Sequence, residues 1–289
     1  MAREACPACG GAALGLLFAK DGYPILECGA CGLVFHPAEP AAESIAEMYS
    51  AAYFTEGAYN GYPDYVGDGA VHRRQARYYL RQLAKCGATG GSLLDVGCAA
   101  GFFLDEAARA GWRVAGCDVS DYATRHAREV LGLDVVCADF LDADLGDRTF
   151  DVVTMLNVFE HLPEPAAVMA RLTALVKPGG LLLIETWDRS SMVARLLGRR
   201  WHQYAPPSVL FFYDRASLCR LFDARQWRLV RYRPSLKWIS LTHGLAVLAD
   251  GARPTWKRRF ARMFMASPLG DIQVPYMFGD LVLATFQRS

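Results

Sequence analysis

One stretch of twelve residues constrains this chain more than any other. Residues 93–104 read LLDVGCAAGFFL, which predicts a buried strand, a tight glycine turn and the start of a helix. Gly97 and Gly101 lack a Cβ, so they allow sharp bends and let a ligand approach the backbone, while the helix offers free N–H groups at its N-terminus. Asp118 follows 21 residues after Gly97, at the end of a second apolar run. A carboxylate at this distance can bind the ribose hydroxyls of a nucleoside.

The glycine loop differs from the dinucleotide fingerprint G-x-G-x-x-G. Residues 97–101 read GCAAG, and Asp95 lies two residues before the first glycine. In this arrangement the loop resembles that of the class I S-adenosylmethionine-dependent methyltransferases, which runs acid-x-G-x-G-x-G. Ala99 stands where the family has the middle glycine. This difference affects only the exact conformation of the loop. A glycine turn of an unrelated α/β protein is the alternative interpretation.

Two further junctions resemble the same family. Residues 150–162, FDVVTMLNVFEHL, are similar to its fourth strand and the glutamate-histidine pair that follows. Residues 175–185, LVKPGGLLLIE, are similar to the junction between a helix and the fifth strand. Together with the glycine loop, the resemblance covers about residues 89–234.

The resemblance implies S-adenosyl-L-methionine as the cofactor and gives roles to particular positions. The equivalent of Asp118 holds the ribose, the equivalents of Asp139 and Phe140 flank the adenine, and that of Asn157 lines the methionine end. The other residues of the implied cofactor site are Asp95, Gly97, Cys98, Ala99, Gly101, Phe102 and Val119.

His161 is the leading candidate for a catalytic base. It follows a predicted strand at the carboxyl edge of the sheet, where ligands bind in open α/β sheets, and a base assists transfer to a hydroxyl. A structural cap or pocket wall is the alternative role. His202 and Tyr204 are weaker candidates in the loop 201–212, which we expect to form a pocket wall together with the aromatic segment 49–65.

A metal at the acceptor site is not expected. A related group of methyltransferases binds a metal through a glutamate-histidine pair and a further histidine. Residues 206–210 contain no histidine where many relatives of this core have one, which argues against a metal at Glu160 and His161.

Four of the nine cysteines form two C-x2-C pairs separated by 18 residues. A glycine follows each pair, where a tight turn would direct backbone N–H groups toward the thiolates. Chance, disulfides or an iron–sulfur cluster are the alternatives, but the spacing favours tetrahedral zinc. Four protein thiolates leave no position for water, so we expect the zinc to be structural. The expected ligands are Cys6, Cys9, Cys28 and Cys31.

Charge and hydropathy limit the expected partners. The net charge of +1 provides no general attraction for nucleic acid or anionic membranes. No apolar run approaches the roughly 18 residues of a membrane span, and the N-terminus has no apolar signal core. Nine cysteines without a secretion signal favour a reducing cytoplasm.

Beyond residue 89, strands and helices are predicted to alternate, which favours a parallel sheet with helices on both faces. The expected fold class is α/β, with a Rossmann-like, doubly wound, mostly parallel sheet and a small N-terminal zinc ribbon. The predicted strands are 92–96, 113–117, 135–137, 151–156, 181–186, 228–233 and 281–286. The predicted helices are about 71–83, 102–111, 121–132 and 163–176, and residues 177–180 (KPGG) are expected to end the last one.

The sequence suggests three units: a zinc ribbon (1–38), a helical aromatic connector or lid (39–88) and a methyltransferase core (89–289). The connector either covers the cofactor pocket or only packs on the core. An insertion at about 235–276 carries apolar residues at helical spacing with basic residues between them, which favours a packed amphipathic helix. A substrate lid, a homodimer contact or a phosphate-binding patch are its alternative roles.

The expected activity is methyl transfer to a small molecule, on a hydroxyl of a saccharide or secondary metabolite. The alternative is a ribosomal RNA or tRNA methyltransferase that grips its substrate through the ribbon. Nucleic acid is disfavoured because phosphate contacts need clustered Lys and Arg, and residues 9–31 contain one Lys and no Arg. A non-catalytic zinc-ribbon scaffold is the least favoured, because the acids and glycines of the loop motif are present.

Overall fold

The computed structural model describes residues 3–38, 42–58, 61–223, 225–240, 273–276 and 278–289. Its strands, numbered in chain order, are β1 (Leu14–Lys20), β2 (Tyr23–Cys28), β3 (Val34–Phe35), β4 (Ser92–Val96), β5 (Arg113–Asp118), β6 (Val135–Cys137), β7 (Phe150–Leu156), β8 (Val176–Trp187), β9 (Phe211–Phe212), β10 (Trp227–Pro234), β11 (Lys237–Ser240), β12 (Gln273–Tyr276) and β13 (Leu281–Arg288).

The α-helices connect these strands. They are α1 (Ala42–Met48), α2 (Ala51–Thr55), α3 (Gly69–Ala84), α4 (Phe102–Arg109), α5 (Asp121–Arg125), α6 (Pro165–Leu175), α7 (Met192–Leu197) and α8 (Arg215–Leu221). Short 3-10 turns span Phe159–His161 and Gly198–Arg200. Among the described residues, none of these helices has the length and apolar character needed to cross a membrane.

The central sheet has seven strands in the order β10-β13-β8-β7-β4-β5-β6. Strands β4 to β8 pair in parallel, while β13 runs antiparallel to both β8 and β10. The predicted α/β class with a mostly parallel sheet is confirmed. The last two predicted strands pair with each other, and β10 forms one edge of the sheet.

Alternate residues of the central strands fill two separate cores. Leu94, Val153 and Leu182 face one core, which also holds residues of α6, α8 and the N-terminal strands. Leu93 and Val152 face the other, together with residues of α3 and α4. Successive side chains of a strand point to opposite faces, so continuous apolar runs such as residues 181–184 serve both cores. This is why these runs read as buried strands.

Two elements differ from their predicted form. The helix expected over 121–132 begins as α5 and continues as a π-helical turn, His126–Val130. In this turn the ring Nδ1 of His126 lies 3.0 Å from the carbonyl oxygen of Ala100, in the glycine loop. Residues 177–180 end helix α6 as expected but belong to β8, where the pairing register with β7 shifts. Gly179, at φ +80°, makes this irregularity possible.

The N-terminal strands pack directly on the rest of the molecule. Strands β1, β2 and β3 form an antiparallel sheet, and β3 also pairs with β9. Cys6, Cys28 and Phe35 belong to the same core as Phe211 and Tyr213. The division into units at residues 38 and 88 stays a prediction, but the N-terminal sheet includes a strand from the second half of the chain.

The ends of the predicted insertion form a two-stranded antiparallel sheet. Strand β11 pairs antiparallel with β12, and hydrogen bonds attach the start of β11 to α3. The amphipathic helix expected between these strands lies outside the described residues.

The glycine that precedes α4 offers a test of loop packing. Gly101 has φ +84°, and a Cβ there would lie 2.7 Å from Leu133 Cδ1 and 2.9 Å from Ala127 Cβ. Gly111, at φ +89°, has open space around its Cβ position. Gly111→Ala should cost about 1–2 kcal/mol of unfolding free energy from backbone strain alone. Gly101→Ala should cost about 1–3 kcal/mol more, because the methyl group also overpacks the loop. Equal losses in urea unfolding would contradict this close packing.

Candidate cofactor and acceptor site

A cavity of about 240 Å³ lies beside the glycine loop, at the carboxyl ends of β4, β5 and β7. It brings together residues that are far apart in the sequence. The residues of the predicted site that line it are Asp95, Gly97, Cys98, Ala99, Phe102, Asp118, Val119, Asp139, Phe140, Asn157 and His161. Gly101 of the predicted set lies instead at the N-cap of α4. The cavity therefore joins the cofactor positions to the candidate base.

The glycine loop turns through three residues with positive φ. Gly97 has φ +71°, Ala99 has φ +47° and Gly101 has φ +84°. A Cβ on Gly97 would lie 2.3 Å from Val158 Cγ2, so the Val158 side chain, just after β7, leaves no room for a side chain there. Ala99 adopts the left-handed conformation that the missing glycine would favour, at a cost of about 1–2 kcal/mol.

The Asp118 carboxylate connects the end of β5 to this loop. Its Oδ2 accepts the backbone N–H of Ala99 at 2.8 Å, and its Oδ1 accepts that of Ser120 at 2.9 Å. Burial raises the pKa of Asp118, although these backbone donors oppose the shift. Each carboxylate oxygen has a second lone pair, so the side chain can also accept hydrogen bonds from two ribose hydroxyls.

Asp95 is a buried carboxylic acid beneath the loop. Its side chain is 3% exposed, and its Oδ1 accepts the hydroxyl of Thr154 at 2.6 Å. Burial raises the pKa of Asp95 to about 7; the neighbouring Asp118 adds to the shift, and the Thr154 hydroxyl opposes it. Its charge therefore changes near neutral pH.

Glu185, at the end of β8, was not among the predicted site residues. Its fully buried carboxylate accepts Tyr79 OH and Asn157 Nδ2 at Oε2, both at 2.6 Å, and the Ser235 hydroxyl at Oε1. Burial raises its pKa, and the charge of Lys237 and these three donors oppose the shift. The sequence shows a carboxylate at the end of an apolar run. It does not show the hydrogen-bond partners of this carboxylate, because they come from three distant segments.

Asn157 is held in a single orientation by this carboxylate. It has φ +57°, and its N–H donates to the Glu185 carbonyl at 2.9 Å. Its side-chain Oδ1 is buried and has no hydrogen-bond partner among the described residues. An unpaired buried acceptor in the cavity wall is costly unless a ligand donor reaches it. The residues present therefore fit the ammonium of the implied cofactor.

The His161 ring is fixed through one nitrogen. Its Nδ1 lies 2.6 Å from the carbonyl oxygen of Ser208. A carbonyl only accepts, so the neutral ring carries its proton on Nδ1 and leaves Nε2 free to take one. Nε2 lies 4.0 Å from Oε1 of Glu160, which is beyond hydrogen-bond distance. The imidazole lines the cavity, and its tautomer, with the proton on Nδ1, is the one that a general base acting through Nε2 requires.

An aromatic wall, formed by Tyr49, Tyr53, Tyr62 and Tyr65, lines the cavity on the side of the connector. The rings of Tyr49 and Tyr53 lie 5.1 Å apart, and those of Tyr62 and Tyr65 lie 4.8 Å apart, in edge contacts. Of the two roles left open for this segment, the structure supports contact with the pocket.

The rest of the lining differs from expectation. Lys237, Trp238 and Ile239 of β11 line the cavity, although the sequence favoured a packed helix in this insertion. Residues 201–212, expected as a wall, lie outside the lining. The ring of His202 instead contacts that of Trp187, and Tyr204 packs against Phe18.

The four sulfurs of the predicted metal site lie within 4.8 Å of one another. The Cys6 and Cys31 sulfurs are 3.6 Å apart, as are those of Cys9 and Cys28. A tetrahedral zinc with bonds of about 2.3 Å would separate its sulfurs by ~3.8 Å. The donor set and its spacing therefore fit zinc.

Backbone groups in these turns favour the thiolate of Cys28, whereas burial raises the pKa of Cys6 and Cys31. Gly10 and Gly32 both have φ +70°, and each donates its N–H to the carbonyl of the first cysteine in its pair. Burial opposes ionisation of Cys28, but the backbone N–H groups of Cys31 and Ala30 outweigh it and lower the pKa of Cys28 to about 7. Thiolates are the form that binds metal.

Comparison with known proteins gives consistent results. Residues 70–232, more than half of the chain, match the family model described as a methyltransferase domain. The ubiquinone biosynthesis O-methyltransferase of Albidiferax ferrireducens is 35% identical over 181 residues, which cover 54% of this chain and 69% of that protein. The protein of the same name from Ralstonia nicotianae is 33% identical over 180 residues, covering 55% and 74%.

A solved structure shows the same fold. Magnesium protoporphyrin IX methyltransferase from Synechocystis PCC 6803, with bound SAH, superposes with a TM-score of 0.52 at 16% identity. The superposition covers 86% of this chain and 99% of that one.

The pKa of Asp95 predicts how cofactor binding depends on pH. The carboxyl is mostly neutral below pH 7 and mostly ionised above it, and we expect the ionised form to attract the cationic ammonium of S-adenosylhomocysteine. Affinity should therefore rise up to about tenfold between pH 6 and pH 8, as the ionised fraction grows. Calorimetry should show a flat, weaker profile for Asp95→Asn. A flat profile in the unsubstituted protein would contradict the assigned shift.

Proposed function

We propose that this chain, which belongs to the methyltransferase family and is an S-adenosylmethionine-dependent methyltransferase, methylates a hydroxyl oxygen of a small molecule. One observation carries the proposal: a single cavity joins the glycine loop, the aromatic wall and His161. The names of the relatives, O-methyltransferases of ubiquinone biosynthesis, support an oxygen acceptor. The proposed acceptor class is the one predicted from the sequence, a saccharide or secondary metabolite.

The proposed cofactor contacts follow the geometry of the loop. Asp118 binds the ribose hydroxyls, while Asp139 and Phe140 flank the adenine. Asn157 Oδ1 accepts a hydrogen bond from the methionine ammonium, and ionised Asp95 adds a favourable charge nearby. The remaining proposed contacts are Gly97, Cys98, Ala99, Phe102 and Val119, while Gly101 shapes the loop at the N-cap of α4.

The proposed role of His161 is to remove the proton of the acceptor. When bound, the cofactor supplies an electrophilic methyl group on a sulfonium. The acceptor hydroxyl gives its proton to His161 Nε2, and its oxygen bonds to the methyl carbon. The carbon–sulfur bond breaks, and its electron pair stays on the sulfur. Holding oxygen and carbon in line provides most of the acceleration.

A small-molecule acceptor suits the site better than RNA. The cavity of about 240 Å³ lies slightly below the usual range of small-ligand pockets, about 300–1,000 Å³, and the net charge of +1 offers no general attraction for phosphates. Nucleic acid stays the alternative methyl acceptor, as in the sequence analysis.

We further propose a structural zinc held by Cys6, Cys9, Cys28 and Cys31. The spacing of the four sulfurs and the lowered pKa of Cys28 support it. Its role is to stabilise the N-terminal sheet, adding to the packing of Cys6, Cys28 and Phe35 on the core of the molecule.

His161→Ala should lower turnover by roughly 10²–10⁴ if the ring is the base. S-adenosylhomocysteine affinity should stay nearly unchanged, because the cofactor contacts are elsewhere in the cavity. The measurement is methyl transfer to a panel of catechols and hydroxybenzoates, with His202→Ala as the matched control. A loss below tenfold would leave His161 as a wall residue and proximity as the mechanism.

Elemental analysis should find one zinc per chain. Cys28→Ser should lose the metal and unfold the first 38 residues, because zinc binding supplies their folding energy. The control is Cys137→Ser, which replaces an exposed cysteine outside the cluster. Iron in place of zinc, or a fully folded Cys28→Ser protein, would refute the assignment.

A further inference from the structure

We propose that Lys237 binds an anionic oxygen of the acceptor, so that the natural substrate is an aromatic compound with an acidic hydroxyl or a carboxylate. This inference rests on the proposed function and narrows its acceptor class. No prediction from the sequence included Lys237. It lines the cavity together with Trp238, on the strand that follows the Glu185-bound Ser235.

The position of Lys237 is fixed by backbone contacts on both sides. Gln75 Nε2 donates to the Leu236 carbonyl at 2.9 Å, and Trp238 N–H donates to Gln75 Oε1 at 3.0 Å. The Arg74 guanidinium lies 3.2 Å from the centre of the Trp238 ring. Helix α3 therefore holds β11 against the cavity through contacts that involve no ligand.

The ammonium of Lys237 has no ion-pair partner within 4.0 Å among the described residues. Its one described contact is with the Trp187 ring, 5.8 Å away. The neighbouring Glu185 already accepts three hydrogen bonds, from Tyr79, Asn157 and Ser235. A lysine ammonium has three donors, and the half-buried Lys237 side chain leaves them accessible to a molecule that enters the cavity. A ligand oxygen would meet them.

The group is nevertheless charged. Burial favours the neutral amine, but the acidic groups of Tyr62, Glu185 and Glu160 outweigh it and raise the pKa of Lys237. Burial raises the pKa of both glutamates, while the charge of Lys237 lowers that of Glu185, so Lys237 and Glu185 stabilise each other's charged forms. Among the described residues neither glutamate lies within 4.0 Å of the ammonium, which leaves its donors open to a ligand oxygen.

The surroundings indicate the shape of the molecule that carries this oxygen. The aromatic wall and Trp238 present ring faces and edges to the cavity, which suits a planar ring. The anionic oxygen that Lys237 binds has two alternative sources. It is either the phenolic oxygen that is methylated, after its proton passes to His161 Nε2, or a carboxylate oxygen elsewhere on the ring. In both cases the bonds formed and broken are those of the proposed reaction.

Three probes distinguish these sources: 3,4-dihydroxybenzoate, its neutral methyl ester, and catechol. If the carboxylate is bound, the benzoate should be preferred over the ester by about 10- to 100-fold in kcat/KM, and Lys237→Met should abolish the preference. If the phenolate is bound, Lys237→Met should slow catechol methylation by a similar factor and move its pH profile to higher pH. Lys237→Arg should retain either property.

The controls separate this inference from the proposed function. Lys85→Met removes an exposed cation at the end of α3 and should change nothing. The affinity for S-adenosylhomocysteine should be equal in all variants. If Lys237→Met lowers this affinity, the same measurements are made on Lys237→Gln instead. Equal rates and pH profiles for Lys237→Met and the unsubstituted enzyme would overturn the inference, as would turnover of none of the three probes. Failure of the unsubstituted protein to bind S-adenosylhomocysteine would instead contradict the proposed function.

Discussion

The Asp118 carboxylate is the contact on which the site depends. It bonds the Ala99 N–H and so holds the glycine loop against the end of β5. This contact keeps Ala99 in a left-handed conformation that alanine rarely adopts. The loop in turn leaves Gly97 against Val158 at the exit of β7. The carboxylate acts together with the Gly97 and Cys98 N–H groups, which donate to the Cys117 carbonyl, and the cavity forms beside the loop that these bonds hold.

A second carboxylate connects the two halves of the cavity. Glu185 binds Asn157 at the cofactor side, Tyr79 of α3, and Ser235 just before β11. Its three donors come from segments that no local pattern relates. Through Ser235 and Asn157, the strand that carries Lys237 is tied to the proposed methionine end of the cofactor site. The proposed positions of cofactor and acceptor are thus connected through one buried group.

The sequence allowed much of the core to be predicted. Strand 92–96 has the predicted bounds, because apolar runs between glycines indicate buried strands and do not depend on distant contacts. The cofactor positions carry short-range motifs, and the structure brings them together, although their roles remain proposals. Lys237 and Glu185 could not be identified, because their importance comes from tertiary contacts. The π-helical turn after α5 was also missed, since it depends on packing against the glycine loop.

The central claim is that Asp118 holds the ribose of S-adenosylmethionine. Calorimetric titration of S-adenosylhomocysteine into the unsubstituted protein and Asp118→Ala tests it most directly, with Asp121→Ala as the control for an exposed carboxylate on the next helix. We predict that Asp118→Ala weakens binding by about 1–3 kcal/mol while Asp121→Ala leaves it unchanged. Unchanged affinity in Asp118→Ala, or tighter binding of NAD than of S-adenosylhomocysteine by the unsubstituted protein, would contradict the account.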